Sequence, residues 1–278
     1  MPLRVHYRIS DWILFPLVYH VMRYRRKMVE KNLRNAFPEK SDAERRQIAR
    51  EFYHSFCDVI VEIVYGYRCS EGEMRERVDI LGMEEANKLI DAAGGGIFML
   101  AHMGNWEWQA SVQQWLSPGV TELNVYRQQK NKRFDALMLA IRAKRGGACV
   151  EKKQLLRSMV SYRAEHKPFT VGLICDQKPR PEVTRTWVEF LHQETGFLDG
   201  GEVLAKKFNI PVFYGHMARV GRGYYQSEVR LLTATPQQTE EGEITKAFAK
   251  ALEENILEQP EMWLWTHNRW KHKLKVES

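Results

Sequence analysis

Along the first third of the chain, apolar residues recur at helical intervals. Beyond Gly94 they gather into short unbroken runs separated by amphipathic stretches. That change predicts a helical N-terminal section followed by alternating strands and helices. Ile13, Leu14, Leu17, Val18, Val21 and Met22 fall at helical spacing within residues 10–35, read as one helix or two, with Pro16 setting a kink or a late start. Ser41 with Glu44 three residues on has the form of a capping box, opening a helix to about Tyr65. Its buried face is expected to be Ile48, Phe52, Phe56, Val59, Ile60 and Ile63. Residues 70–93 predict a short helix, a brief strand near Val78, and a helix from Glu84.

After Gly94-Gly95-Gly96, the run Ile97 to Ala101 reads as a strand buried on both faces. His102-Met103-Gly104-Asn105 breaks it, and Asn105 is the N-cap of a predicted helix over 106–115. Strands are expected at 123–126, 149–151, 169–175, 187–190, 211–218 and 224–232. Helices are expected at 131–144, 155–166, 201–208 and 243–257. This alternation predicts an α/β fold with a largely parallel mixed sheet flanked by helices. The division is an N-terminal helical, basic, membrane-proximal section over 1–93 and an α/β core over 94–278, continuous enough to be one domain.

Composition narrows the function. With 278 residues, 44% hydrophobic and 28% charged, the chain is neither disordered nor fibrous. Its mainly apolar stretch near the start, Trp12 to Met22, is 11 residues long and holds Pro16 and His20. A membrane span needs about 20. The net charge of +7 lies wholly in residues 1–50; the rest is balanced. Such a section suits a nucleic acid or an anionic membrane. An apolar face followed by Arg23, Arg25, Arg26, Lys27, Lys31 and Arg34 is the pattern of an interfacial helix, and equally of a core-packed helix with a solvated basic end. Cys57, Cys69, Cys149 and Cys175 show no metal-ligand spacing and read as buried or free thiols. There is no Gly-rich phosphate loop, dense carboxylate cluster or His/Cys ligand set, so no metal or cofactor is called for.

In parallel α/β folds, sites form at the carboxyl ends of strands. His102 stands at such an end, and Glu107 follows five residues later in the next helix. A strand-loop-helix turn lets the two converge, so that the carboxylate fixes the imidazole tautomer and favours its charged form. That pair would be a general base for a hydroxyl. The alternative is a structural histidine beside ordinary helix-dipole chemistry.

The setting Ala101-His102-Met103-Gly104-Asn105-Trp106-Glu107 resembles the first motif of the lipid A biosynthesis late acyltransferases, of the lysophospholipid acyltransferase-like superfamily. Other blocks follow in order. Asn32-Leu33-Arg34-Asn35-Ala36-Phe37-Pro38 resembles the family's Asn-Leu-x-x-x-Phe-Pro. Val125-Tyr126-Arg127 through Asn131, Phe134-Asp135 and Arg142 resemble its second block, and Gly172 through Asp176-Gln177 its Asp-Gln block. Phe190-Leu191, Phe197 and Gly200 resemble the next, and Trp263 through Lys271 the last. The resemblance runs from Asn32 to Lys273. His192 stands where the family often has glycine, and Gly201 where it often has proline. Family members usually carry an apolar membrane segment before the region resembling Leu3 to Leu17. None is present here, which points to a shortened form or to peripheral contact.

The resemblance implies acyl transfer from a thioester, acyl carrier protein or acyl-CoA, to a hydroxyl of a lipid acceptor, at the cytoplasmic face of the bacterial inner membrane. His102 and Glu107 become the catalytic residues. Arg127 and Arg142 become candidates for acceptor phosphate or sugar oxygens. Asp176, Gln177, Gly200, Arg269 and Lys271 complete the substrate-binding set, with backbone N–H groups near Gly200-Gly201 or a basic side chain facing the oxyanion. Trp263, Trp265 and Trp270 suit either a membrane interface or simple packing. Lysophospholipid and amino-acid-lipid acceptors stay open, as does a non-catalytic lipid-binding scaffold. A nucleic-acid partner is not expected: the basic cluster lacks interleaved aromatic side chains.

Overall fold

A computed structural model of the chain describes residues 2–180, 182 and 184–271; Lys273, where the resemblance ends, lies outside the described residues. The fold is α/β. A seven-stranded sheet has the order β1-β9-β8-β2-β5-β3-β4. Its strands are β1 (Val78–Leu81), β2 (Gly95–Leu100), β3 (Thr121–Tyr126), β4 (Ala148–Glu151), β5 (Phe169–Ile174), β8 (Val212–Gly221) and β9 (Tyr224–Thr233). Every neighbouring pair is parallel except the β8–β9 hairpin. The helices are α1 (Leu3–Ile9), α2 (Arg26–Ala36), α3 (Asp42–Gly66), α4 (Glu71–Arg77), α5 (Met83–Ala93), α6 (Lys132–Ala143), α7 (Leu155–Ala164), α8 (Gly200–Phe208) and α9 (Glu243–Glu258).

β2 and β5 lie at the middle of the sheet. Ile97, Phe98, Met99, Phe169 and Val171 are all buried, which explains their unbroken apolar runs. Each such side chain contributes about 1.5–3 kcal/mol on burial. β1 belongs to the predicted N-terminal section yet pairs with β9, so that section supplies an edge of the main sheet. The sequence pattern missed β7 (Gln193–Phe197), which forms a separate hairpin with β6 (Thr186–Phe190). Gln193, Glu194 and Thr195 hide the strand because it packs only its far end. The two-residue turn places Leu191 at φ 50° and His192 at φ 58°. Both positions are left-handed, which explains a family preference for glycine at His192. Gly201 is the second residue of α8, inside the first turn where proline is tolerated.

Residues 10–35 are neither one helix nor two. After α1 the chain winds as π-helix over Ser10–Leu14 and Pro16–Val21. Met22 N–H reaches Leu17 O at 2.8 Å, five residues back. Pro16 has no N–H to give an ordinary helical turn. The winding divides the apolar residues assigned to one face. Leu14, Phe15, Val18 and Tyr19 pack on the core. Ile13, Leu17, Val21 and Met22 face outward with Trp12, which is 80% exposed. Left-handed Arg23 and Arg25 then break the chain before α2.

On α3 the predicted capping box is present: Glu44 N–H donates to Ser41 Oγ, and Ser41 N–H to Glu44 Oε2. Ile48, Phe52 and Val59 are buried, whereas Ile60 is exposed. Among the described residues, no helix is long and apolar enough to cross a membrane.

Candidate active site

The β2–β5 ladder pairs Leu100 with Ile174. It continues one step further, with Cys175 N–H donating to Leu100 O at 2.9 Å. Side chains alternate along strands, so His102 and Asp176, each two residues past the last pair, emerge together on one face. His102 Nδ1 lies 2.6 Å from Asp176 Oδ1. Asp176 Oδ2 accepts the His102 backbone N–H at 3.0 Å and Trp263 Nε1–H at 2.9 Å. An ionised carboxylate only accepts, so Nδ1 carries the proton and Nε2 is left as the basic nitrogen.

The electrostatics reinforce this arrangement. Burial would raise the Asp176 pKa, but the His102 charge and the hydrogen bonds from His102 and Trp263 outweigh it and lower it to about 2. Burial depresses the His102 imidazolium, and the Asp176 carboxylate overcomes that and raises it; Glu107 adds a smaller push upward.

Glu107 is not the carboxylate bonded to His102. It accepts Arg142 Nε–H at 2.8 Å and Nη2–H at 2.7 Å, a two-pronged pair between the loop and α6. The turn after β2 sends the Glu107 side chain toward α6, whereas strand register delivers Asp176. The predicted helix over 106–115 is a tighter 3₁₀ segment, Trp108–Trp115. Asn105 still serves its start, its Oδ1 accepting Trp108 N–H at 3.3 Å. Its Nδ2 donates to buried Glu62, which also accepts from the hydroxyls of Tyr7 and Tyr225. Burial raises the Glu62 pKa. The Trp106 ring stands edge-on to His102 at 5.1 Å.

The C-terminal segment closes the back of the site. Met103 bridges Trp263, Gly104 N–H donates to Met262 O at 3.0 Å, and Leu264 N–H donates to His102 O at 3.2 Å. Gly104 has φ 52°, and a Cβ there would lie 2.9 Å from the Met262 methyl, so a side chain does not fit. Asn32 Nδ2 donates to Trp265 O and His267 O, each at 2.8 Å, and Arg25 donates to Thr266 O at 3.0 Å. These contacts give Asn32 of the N-terminal motif a physical role. Trp263, Trp265 and Trp270 are all buried. They pack the segment and do not face an interface.

The remaining predicted residues are less concentrated. Gln177 is exposed, with its Nε2 3.3 Å from His102 Nε2. Arg142 is held by Glu107 and is not free to grip a ligand. Arg127 is exposed just past β3. Gly200 opens α8 and is exposed, while a Cβ on Gly201 would touch Met99, on the strand that leads to His102. Arg269 is 3% exposed. Its Nη2 donates to Gly196 O at 2.7 Å and its guanidinium lies 4.5 Å from the centre of the Phe197 ring. Burial lowers its pKa to about 10. Lys271 is exposed. The sequence reading missed the pairing of Asp176 with His102 and the bond from Trp263. The available signal was that His102 and Asp176 each end one of the most apolar runs, as neighbouring central strands do.

Cys57, Cys69 and Cys175 are buried, Cys149 is half-buried, and all four are free thiols. Among the described residues, no group of three His, Cys, Asp or Glu side chains is placed to hold a metal ion.

Residues 1–272 match the bacterial lipid A biosynthesis acyltransferase family. The chain belongs to this family. It is also similar to the lipid A biosynthesis lauroyltransferase of Escherichia coli strain K12, 24% identical over 98% of this chain and 87% of that protein. Membership in the lipid A acyltransferase family makes the chain an acyltransferase, with an acyl donor and a lipid acceptor. The His102–Asp176 pair, lying where the motifs of the family's first and Asp-Gln blocks meet, is the feature on which that chemistry can be built.

Proposed function

We propose that this chain transfers a fatty acyl group from a thioester, carried by acyl carrier protein, to a hydroxyl of a lipid A precursor. The observation that carries this reading is the Nδ1-to-carboxylate bond of His102 at the ends of β2 and β5. An alcohol is a poor nucleophile at neutral pH. His102 Nε2 takes the hydroxyl proton as the oxygen attacks the thioester carbonyl, and Asp176 holds the imidazolium that forms. The tetrahedral intermediate then expels the thiolate, which takes the proton from His102. The acyl C–O bond forms, the C–S bond breaks, and the base is regenerated. Glu107 acts through Arg142, fixing the loop that carries Trp106 against His102, and adds negative potential near the imidazolium. Gln177 steers Nε2.

Peripheral attachment to an anionic membrane, at the cytoplasmic leaflet, is part of the same proposal. Trp12, Ile13, Leu17, Val21 and Met22 form an outward apolar face directly before exposed Arg23 and Lys27. Arg25 and Arg26 serve the fold instead: Arg25 bonds Thr266 O, and Arg26 lies over the Tyr19 ring and reaches Glu30 at 3.6 Å. The test is incubation with acyl carrier protein bearing labelled acyl chains and a panel of lipid acceptors. Label is expected on a lipid A precursor. Label only on lysophospholipid or amino-acid lipid would replace the acceptor; no transfer at all, with salt-sensitive nucleic-acid binding instead, would overturn the reading.

A further inference from the structure

Glu62 takes no part in the proposed reaction, yet it is a carboxylate with no exposed surface, on the inner side of α3. Both of its oxygens are engaged. Oε1 accepts the Tyr7 hydroxyl at 2.7 Å, and Oε2 accepts the Tyr225 hydroxyl at 2.8 Å and Asn105 Nδ2–H at 3.0 Å. These donors come from α1, from β9 and from the loop after His102. Burying a carboxylate is costly, and packed apolar side chains would join the same elements without that cost. What an apolar contact does not supply is direction.

That direction falls on Asn105, which is itself fully buried. A side-chain amide donates from its nitrogen and accepts at its oxygen. Glu62 takes the Nδ2 end, so Oδ1 turns to Trp108 N–H. Trp108 N–H also reaches Asn105 O at 3.0 Å, closing a tight turn over 105–108. Trp106 and Glu107 are the two residues inside that turn: Trp106 stands against the His102 ring, and Glu107 holds Arg142. Tyr225 supports the same turn from below. Its ring meets the Trp108 ring edge-on at 5.8 Å and packs so closely under Gly104 that a Cβ there would lie 3.0 Å from it.

We propose that Glu62 is a positioning residue for acyl transfer, acting through Asn105 to hold the Trp106–Glu107 turn beside His102. The inference rests on the acyl-transfer reading for the reaction measured. The test exchanges donor and acceptor in the full chain. Asn105→Asp sets two buried carboxylates face to face, while Glu62→Gln/Asn105→Asp restores one donor and one acceptor with the shape kept. Two readouts are taken: kcat and KM with the labelled donor, and the His102 ring-proton resonance, which the edge-on Trp106 ring shifts by its own field. Asn105→Asp should lower kcat by up to about 10²-fold with KM changed much less, and should move the resonance. The double variant should recover most of the rate and return the resonance toward its place in the unaltered chain. Tyr225→Phe, which withdraws one donor from Glu62, should act in the same direction more weakly, and it decides the matter by both readouts if Asn105→Asp does not fold. A folded Asn105→Asp with unaltered kcat and resonance, or a folded double variant no better than Asn105→Asp, overturns the positioning role and leaves Glu62 to stability alone. Absence of transfer by the unaltered chain would instead count against the acyl-transfer reading, and the resonance alone then decides whether Glu62 places the turn.

Discussion

Two charged pairs adjoin Trp106, and they are built in different ways. His102–Asp176 stands on the ends of two neighbouring central strands, where backbone register alone sets the side chains together. Glu107–Arg142 joins a loop to α6, and its geometry depends on a long guanidinium side chain finding its fork. The first arrangement carries the nitrogen that the proposed reaction uses as its base. The second ties down the loop beside it. In the proposed mechanism the strand ends therefore supply the chemistry, and the loop-to-helix contact supplies the setting.

The largest effect should come from the strand pair. His102→Ala is expected to lose about 10²- to 10⁴-fold in kcat, measured with the labelled donor at saturating acceptor, while the fold is retained. Asp176→Asn should fall in the same range. The double variant His102→Ala/Asp176→Asn should be little worse than either single change, because the two act as one unit. A double loss equal to the product of the singles would break the distinction.

The loop pair should act mainly on stability. Arg142→Gln leaves the nearly buried Glu107 carboxylate without its partner, at a cost of about 1–3 kcal/mol. Thermal or denaturant unfolding measures it. Glu107→Gln/Arg142→Gln should recover part of that loss, since neither charge is then left alone. A double variant less stable than the sum of the singles would show that the pair is held by more than its own charges.

pH separates the pairs again. The His102 pKa is raised, so its share of stability is full below the unfolded value and is lost as pH rises through the folded value. The Asp176 pKa is lowered from 3.8 to about 2, so its share is present above 3.8 and is lost as pH falls toward 2. The pair thus stabilises most between these windows, in mildly acidic solution. Asp176→Asn should flatten stability across that range, measured by unfolding at several pH values, whereas Glu107→Gln should leave most of the dependence in place.

Much of the framework was legible. Ile97 to Ala101 and residues 169–175 announced central strands because a strand covered on both faces needs an unbroken apolar run. Ser41 with Glu44 announced its helix because the cap satisfies backbone N–H groups locally. What stayed hidden depended on distant contacts. Adjacency of β2 and β5 is a matter of topology, so in sequence Asp176 reads as a substrate-binding residue and Glu107 as the partner of His102. The π-winding around Pro16 altered which apolar residues face outward, an effect no ordinary helical period contains. Trp263 looked amphipathic in sequence, and only the fold aims its indole N–H at Asp176.

The outward N-terminal face should give the smallest effects. Trp12→Ser with Val21→Ser should weaken binding to anionic vesicles at both low and high salt, since apolar burial is little affected by screening. Arg23→Gln with Lys27→Gln should weaken it only at low salt, by about 1 kcal/mol per residue. Sedimentation with vesicles at two salt concentrations checks both. Unchanged binding in all variants would leave this face as merely solvated.

The most direct test of the account is the titration of the His102 imidazole, followed by nuclear magnetic resonance in the unaltered chain, Asp176→Asn and Glu107→Gln. The unaltered ring should titrate above the ordinary histidine value. Asp176→Asn should lower its pKa markedly, because the carboxylate that offsets burial is gone; Glu107→Gln should lower it less. A larger shift in Glu107→Gln than in Asp176→Asn would contradict the assignment of Asp176 as the partner of the proposed base, His102.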